Sequence, residues 1–262
     1  MSNVIKYYGM KNNLMDVTFL ITVRIDSIIR LENLLMTTRF LLRYFDCKII
    51  VLEAAPYENG FIKKILDHRV EYYFIEDYDS VFYRTRYLNS IAEKVVTSYL
   101  CIWDADVIVA PIQIIEAVNK LRSNEYDVAL PYDGRALDTT DIIRELFILN
   151  NRIDYLFKHI PKMQLLYSGL TLRGGAIFVT LEAYKNAGME NVAFYGWGSE
   201  DFERYDRWMI LGYKIYITKG VLFHLTHPRG QNSKYSRINQ IINSEVKLFE
   251  TRMSSSKELM KK

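Results

Sequence analysis

Short apolar runs alternate with longer amphipathic stretches through the first half of the chain. Runs rich in β-branched and aromatic residues stand at 17–23 (VTFLITV), 47–53 (CKIIVLE), 70–75 (VEYYFI), 99–103 (YLCIW) and 126–130 (YDVAL), each of a length and composition that suit a buried strand. Between them, 27–44, 59–67, 84–97 and 112–123 carry apolar residues at three- and four-residue spacing, the period of a helix with one face on a core. Right-handed crossovers return each strand beside an earlier one, so the pattern predicts the α/β class: a mostly parallel central sheet flanked by helices.

The second half is less regular. From 134 to 168 the pattern reads as helical and polar, 174–180 (GGAIFVT) returns to strand character, and 194–199 (FYGWGS) reads as a mobile glycine- and aromatic-rich loop. A helix follows over 200–211, and two short strands, 213–217 and 221–224, close the domain. The chain therefore divides into a principal domain, 1–230, and a C-terminal tail, 231–262. Ile238, Ile241, Ile242, Val246, Phe249 and Met253 form a helical stripe in that tail. The stripe predicts docking on the domain; with Lys and Arg on the other faces, peripheral contact with an anionic membrane is the alternative.

Of 262 residues, half are apolar, enough for one full core. A balance of 34 basic against 31 acidic residues argues against a nucleic-acid partner. There is no run of the roughly 18 apolar residues that would span a bilayer, and the polar start MSNVIKYYGMKNN lacks the layout of a signal peptide, so the expectation is a soluble cytoplasmic protein. Cys47 and Cys101 fall inside apolar runs and read as reduced core thiols.

In such sheets ligands bind beyond the carboxyl ends of the strands. The polar residues there are Arg24 and Asp26, Glu53, Glu76 and Asp77, and Asp104 with Asp106. Asp104-Ala105-Asp106 hands two carboxylates to that rim, a pairing that suits a hard divalent cation bridging to a diphosphate. Short acidic pairs also end strands by chance. His224, in KGVLFHLTHPRG, is a candidate third ligand, with His227 competing for the role; an imidazole beside carboxylates favours Mn²⁺, with Mg²⁺ the alternative.

Glu200 and Asp201 open a helix, where carboxylates stabilise the positive end of the dipole or, in a cleft, one of them acts as general base. The preceding Gly196-Trp197-Gly198 favours the second reading, because an exposed tryptophan between glycines offers a face to a sugar ring. Gly174-Gly175 lets a ligand approach the backbone, or marks a bulge. Arg24, Arg30, Arg84 and Arg86 are candidates for phosphate or base contacts.

With these residues in view, the chain resembles the GT-A glycosyltransferases, in the branch of β-1,4-galactosyltransferases and polypeptide N-acetylgalactosaminyltransferases. The segment 174–215 (GGAIFVTLEAYKNAGMENVAFYGWGSEDFERYDRWMILGYKI) is similar to the galactosyltransferase stretch from a Gly-Gly strand through a Gly-Trp-Gly-Gly-Glu-Asp loop. FYRTRYLN (82–89) resembles a Phe-x-Arg-Ala-x-x-x-Asn donor motif, and LITVRID (20–26), with Thr22, Arg24 and Asp26, stands at the family's nucleotide-binding strand end. Asp104-Ala105-Asp106 matches the Asp-x-Asp motif.

The resemblance implies a GT-A fold and an inverting transfer of a hexose or N-acetylhexosamine, galactose or N-acetylgalactosamine preferred, from a UDP-sugar to a saccharide or lipid-linked saccharide. It implies Asp201 as catalytic base with Glu200 on a sugar, and Phe82 and Arg84 on the nucleotide. Asp104 would orient the ribose or donor sugar, Gly175 would line the sugar pocket, Trp197 would close over the donor, and Asp106 and His224 would hold the metal. Four departures stand out. Ser199 replaces a glycine, Phe202 an acidic residue, and Val221 a methionine metal ligand, while 134–168 has no counterpart. The cytoplasmic expectation suggests bacterial surface polysaccharide synthesis. A sugar nucleotidyltransferase and a catalytically silent carbohydrate-binding protein are the readings from other classes.

Overall fold

The computed structural model describes residues 11–230, 232, 234–235 and 237–260. Most of the polar start, residues 1–10, and residues 231, 233, 236, 261 and 262 of the tail lie outside the described residues.

In chain order the elements are β1 (Asn12–Val23), α1 (Ile28–Tyr44), β2 (Phe45–Ala55), α2 (Phe61–Ile65), β3 (Val70–Glu76), α3 (Arg84–Ala92), β4 (Tyr99–Trp103), β5 (Val107–Val109) and α4 (Pro111–Arg122). There follow β6 (Val128–Leu130), β7 (Ala136–Asp138), α5 (Asp141–Asn150), α6 (Ile153–Lys158), β8 (Gln164–Leu165), β9 (Ala176–Thr180) and α7 (Leu181–Asn186). The last are α8 (Glu200–Ile210), β10 (Ile215–Ile217), β11 (Leu222–His224), α9 (Ile238–Met253) and α10 (Ser256–Leu259). Local chemistry starts several helices: Ser27, Thr140 and Thr180 each accept a hydrogen bond from the backbone N–H three residues on, capping α1, α5 and α7. Pro111 opens α4, where its missing N–H leaves no bond unmade.

Seven strands form the main sheet in the order β10-β6-β9-β4-β1-β2-β3. Parallel pairing joins β4 to β1, β2 and β3, as the alternating pattern predicts. β9 is the exception, running antiparallel to both β4 and β6. Phe19, Trp103 and Phe178 meet edge to face at the centre of the sheet, with Phe19 5.4 Å from Trp103 and 5.6 Å from Phe178. Both cysteines are free and buried, as expected.

Three features depart from the sequence reading. The stretch 134–168 is not helical throughout: β7 and β8 lie within it and join β5 and β11 in a second sheet, ordered β5-β11-β7-β8. Strands of two and three residues are too short to show a period of two. The loop 194–199 is packed rather than free, as described below. The tail helix α9 does dock, against α8, but through Ser244, Leu248 and Thr251. Its apolar stripe faces solvent, with Ile238 72% exposed and Phe249 63%. Hydroxyls that find partners across the interface outcompeted the apolar face, because α8 presents the buried carboxylate of Glu203, to which Thr251 donates at 3.0 Å. No described helix is long and apolar enough to cross a membrane.

Candidate active site

One cavity of about 420 Å³ opens beyond the carboxyl ends of β1 and β4, a volume in the range of small-molecule sites. Most site residues singled out from the sequence line it; Glu53, Glu76, Asp77 and Arg86 do not, and Arg86 is exposed on α3. Glu53 is buried on β2, where it accepts from the Tyr72 hydroxyl at 2.6 Å, so it is not a donor contact here.

Two pairings assemble the rim. Because β9 runs antiparallel to β4, Trp103 is in register with Ala176, and the start of one strand lies beside the end of the other. Gly174 and Gly175 thereby reach Asp104, whose N–H donates to the Gly175 carbonyl at 2.8 Å. The turn itself is pinned by the Trp103 indole, which donates to the Val107 carbonyl at 3.0 Å, and by Thr37 of α1, which donates to the Ala105 carbonyl at 2.9 Å.

The second pairing places the histidines. His224 is in register with Val107 of β5 on one side and with Asp138 of β7 on the other. Asp106 Oδ2 lies 3.8 Å from His224 Nε2 and 3.1 Å from His227 Nε2. These three atoms lie within 4.8 Å of one another, a group that can hold a metal ion. His224 and His227, rivals in the sequence reading, thus both face Asp106. Asp138, which no sequence pattern marked, meets His224 Nδ1 at 2.7 Å; a carboxylate there fixes the ring and would leave Nε2 to hold a cation. Burial works to raise the Asp106 carboxyl, and the two imidazoles overcome it, holding it well below the usual carboxylate range. Burial works to lower His224, and Asp106 and Asp138 raise it above its ordinary value.

Opposite this group, charges alternate through a buried chain. Arg84, at the start of α3, donates to Asp104 Oδ1 at 2.6 Å and lies 3.6 Å from Asp201 Oδ1 and 3.7 Å from Glu200 Oε1. Arg204, one turn along α8, holds the same Asp201 oxygen and reaches Glu190 Oε2 at 2.6 Å. Burial opposes ionisation of Asp201, but Arg204 and Arg84 outweigh it and keep the carboxylate below its ordinary value. Glu200 goes the other way: burial and the neighbouring Asp201 charge push its carboxyl up to about 8. Its Oε2 is buried without a hydrogen-bond partner. Burial likewise raises Asp104, against the pull of Arg84. Two carboxyls at one helix start are therefore shifted in opposite directions.

The family described as the N-terminal domain of galactosyltransferase matches residues 155–229, a span that includes the glycine pair, the Trp197 loop, the start of α8 and both histidines. Among solved structures, the mannosyltransferase PcManGT from Pyrobaculum calidifontis, in complex with GDP-Man and Mn²⁺, superposes with a TM-score of 0.54 at 13% identity over 82% of this chain. The chain covers 58% of the length of that protein. No curated protein matches the sequence. The fold is that of a GT-A glycosyltransferase.

In this GT-A domain the remaining candidates have defined surroundings. Arg24 stacks 5.6 Å over the Phe82 ring and spends its guanidinium on Ala54 and Asp79 carbonyls and on Asp77. It therefore builds the wall at the end of β1, beside Thr22. Asp26 pairs with Arg30 at 3.1 Å. Asn89, last residue of the 82–89 motif, bonds both ways with the Glu190 backbone and supports the ion pair of Arg204. Gly196 and Gly198 let the loop pass closely between the segment before α3 and α9: an added Cβ on Gly196 would stand 2.7 Å from Val81 and 3.1 Å from Gln240 Nε2, and one on Gly198 2.7 Å from Ser244 Oγ. Ser244 also accepts the Ser199 N–H at 2.8 Å. Trp197 packs edge to face on Tyr235 at 4.9 Å and remains 37% exposed at the cavity.

Proposed function

We propose that the protein is an inverting, metal-dependent glycosyltransferase that moves galactose or N-acetylgalactosamine from a UDP-sugar to a hydroxyl of a saccharide or lipid-linked saccharide. The observation that carries this reading is the pair of devices lining one cavity: a cation-ligand group of Asp106, His224 and His227, and an arginine-held carboxylate at Asp201. The preference for galactose or N-acetylgalactosamine and for UDP rests on the 174–215 resemblance and the galactosyltransferase-family segment. The GDP-Man and Mn²⁺ bound by the mannosyltransferase support the broader class, a nucleotide-sugar donor with a divalent cation. Bacterial surface polysaccharide synthesis in the cytoplasm is the proposed setting.

One carboxylate oxygen and two imidazole nitrogens suit Mn²⁺ better than Mg²⁺, which prefers oxygen throughout. Bound there, the cation supplies positive charge against the departing diphosphate. His227, whose Nε2 lies 3.1 Å from Asp106, would supply the further ligand that Val221 at the family's methionine position cannot. The chain's own residues do the rest. Asp201 accepts the proton of the acceptor hydroxyl as its oxygen bonds to the anomeric carbon and the bond from that carbon to the diphosphate breaks. A single displacement from the opposite face inverts the configuration. Glu200, whose carboxyl burial and the Asp201 charge shift toward the protonated form, offers its unpartnered side to a sugar oxygen, and Asp104 accepts from donor hydroxyls. Trp197 covers the sugar with an aromatic face.

The test is UDP release from a panel of UDP-sugars, with saccharide acceptors, with and without Mn²⁺. Metal-dependent release from UDP-galactose or UDP-N-acetylgalactosamine, lost in Asp106→Ala and Asp201→Asn, is the expected result. Donor binding without turnover across all acceptors would favour a carbohydrate-binding protein, and release from a GDP-sugar alone would overturn the UDP assignment.

A further inference from the structure

The helix α9 presents two unlike faces. Inward, Ser244, Leu248 and Thr251 are buried against α8 and the Trp197 loop, and Asn243 donates to the Ala193 carbonyl at 2.9 Å. Outward, Ile238, Ile241, Ile242, Val246, Phe249 and Met253 are between 41% and 72% exposed. Three- and four-residue spacing puts these six on one side of the helix, and Met260 beyond it is 70% exposed. A helix of this length runs about 24 Å, so the stripe is a contiguous apolar band of a kind that soluble monomers rarely leave in water.

We propose that this stripe seats the protein on an anionic lipid bilayer surface, with α9 lying in the interface. Charge decides the occupant. Residues 234–262 carry seven Lys or Arg against three Glu, four net positive charges within a chain whose total is +3. Lys234 and Arg237 at one end of the stripe and Lys257 beyond the other are exposed. Laying a second copy on the same stripe would oppose two net-positive tails, whereas anionic headgroups receive the cations while the acyl boundary receives the side chains. Glu245 and Arg252 fall on the same helical face, but both turn toward the domain: the Glu245 carboxylate accepts from the Ser199 hydroxyl at 3.3 Å and Arg252 pairs with Asp206 of α8 at 2.7 Å. The same helix braces the Trp197 loop, so seating α9 on a surface brings the cavity mouth close to it. The inference is independent of the donor and acceptor proposed above.

Co-sedimentation of the full-length protein with phosphatidylcholine vesicles, and with vesicles half phosphatidylglycerol, tests it. Binding is expected only to the anionic vesicles, weakened by high salt. Ile242→Glu combined with Phe249→Glu should lower the partition coefficient about tenfold or more, with circular dichroism and UDP release unchanged. Lys234→Gln, Arg237→Gln and Lys257→Gln together should weaken binding while leaving the stripe intact. Absence of binding to anionic vesicles overturns the proposal, as does undiminished binding of the Glu double variant. A concentration-dependent dimer that the double variant abolishes, without vesicle binding, would assign the stripe to a second copy instead.

Discussion

The carboxylate of Asp201 occupies the space that a side chain on Gly174 would need. A Cβ built on Gly174 would stand 1.8 Å from Asp201 Oδ2 and 2.3 Å from its Cγ. The neighbouring Gly175 has φ +82°, and its Cβ would approach Asp104 Oδ2 at 3.9 Å and Leu222 at 3.3 Å. The glycine pair is thus the floor between the proposed base and the Asp-x-Asp turn. Gly174→Ala should displace Asp201 by about an ångström and lower turnover on the order of 100-fold, with donor affinity retained. Steady-state kinetics and donor calorimetry check this; full turnover in the variant would remove Asp201 from the role of base.

Asp201→Asn keeps the shape of the side chain and removes the proton acceptor. Turnover should fall by roughly 10²–10⁴-fold, with the donor Kd nearly unchanged. Equal losses in kcat and donor affinity would instead make Asp201 a binding residue.

Asp138 touches no substrate-facing surface in the proposed chemistry and acts through His224. Asp138→Ala should weaken Mn²⁺ binding by about 10–100-fold, and His227→Ala should weaken it at least as much. Mn²⁺ titration followed by electron paramagnetic resonance reads both directly, without recourse to activity. An unchanged affinity in His227→Ala would leave Asp106 and His224 as the chain's own ligands.

Glu200 sets a stability dependence on pH. Its folded-state carboxyl is raised by burial and by Asp201 from 4.5 to about 8, so between those values the native state holds a proton that the unfolded chain has released. Stability contributed at this site is therefore lost as pH rises through that window, by up to about 1.4 kcal/mol per pH unit. Glu200→Gln removes the titration, and its stability relative to the wild type should improve steadily from pH 5 to 8. Urea unfolding of the metal-free protein across that range is the measurement; a parallel pair of curves would contradict it.

Arg204 and Glu190 form an ion pair with each side chain 1% exposed. Arg204→Met leaves Glu190 buried and uncompensated, a change that should cost about 3–5 kcal/mol of stability. It also releases Asp201 from one of its two arginines. Denaturant unfolding reports the first effect, and a rise in the apparent acidic pKa of turnover reports the second.

Much of the framework was legible along the chain. The parallel strands β1 to β4 and their intervening helices follow from apolar runs of strand length separated by stretches of helical period, because each element must bury one face. Asp104 and Asp106 were legible for a related reason, as a strand of five apolar residues ends where they begin and the carboxyl ends of parallel strands form the ligand rim. The resemblance of the 174–215 segment to galactosyltransferases marked Gly174, Trp197 and Asp201.

What lay beyond the sequence was every relationship set by the register of strands distant in the chain. The antiparallel insertion of β9 brought Gly174 beneath Asp201 and beside Asp104. The pairing of β11 between β5 and β7 brought Asp138 to His224 across 86 residues and let both histidines face Asp106. The tail shows the same limit: its period of apolar residues predicted a helix, and α9 is one, but which face it buries was decided by Glu203 and the Ser199 N–H waiting on the domain. Local periodicity determines what an element is. Its partners are determined by complementarity between surfaces that meet only when the chain has folded.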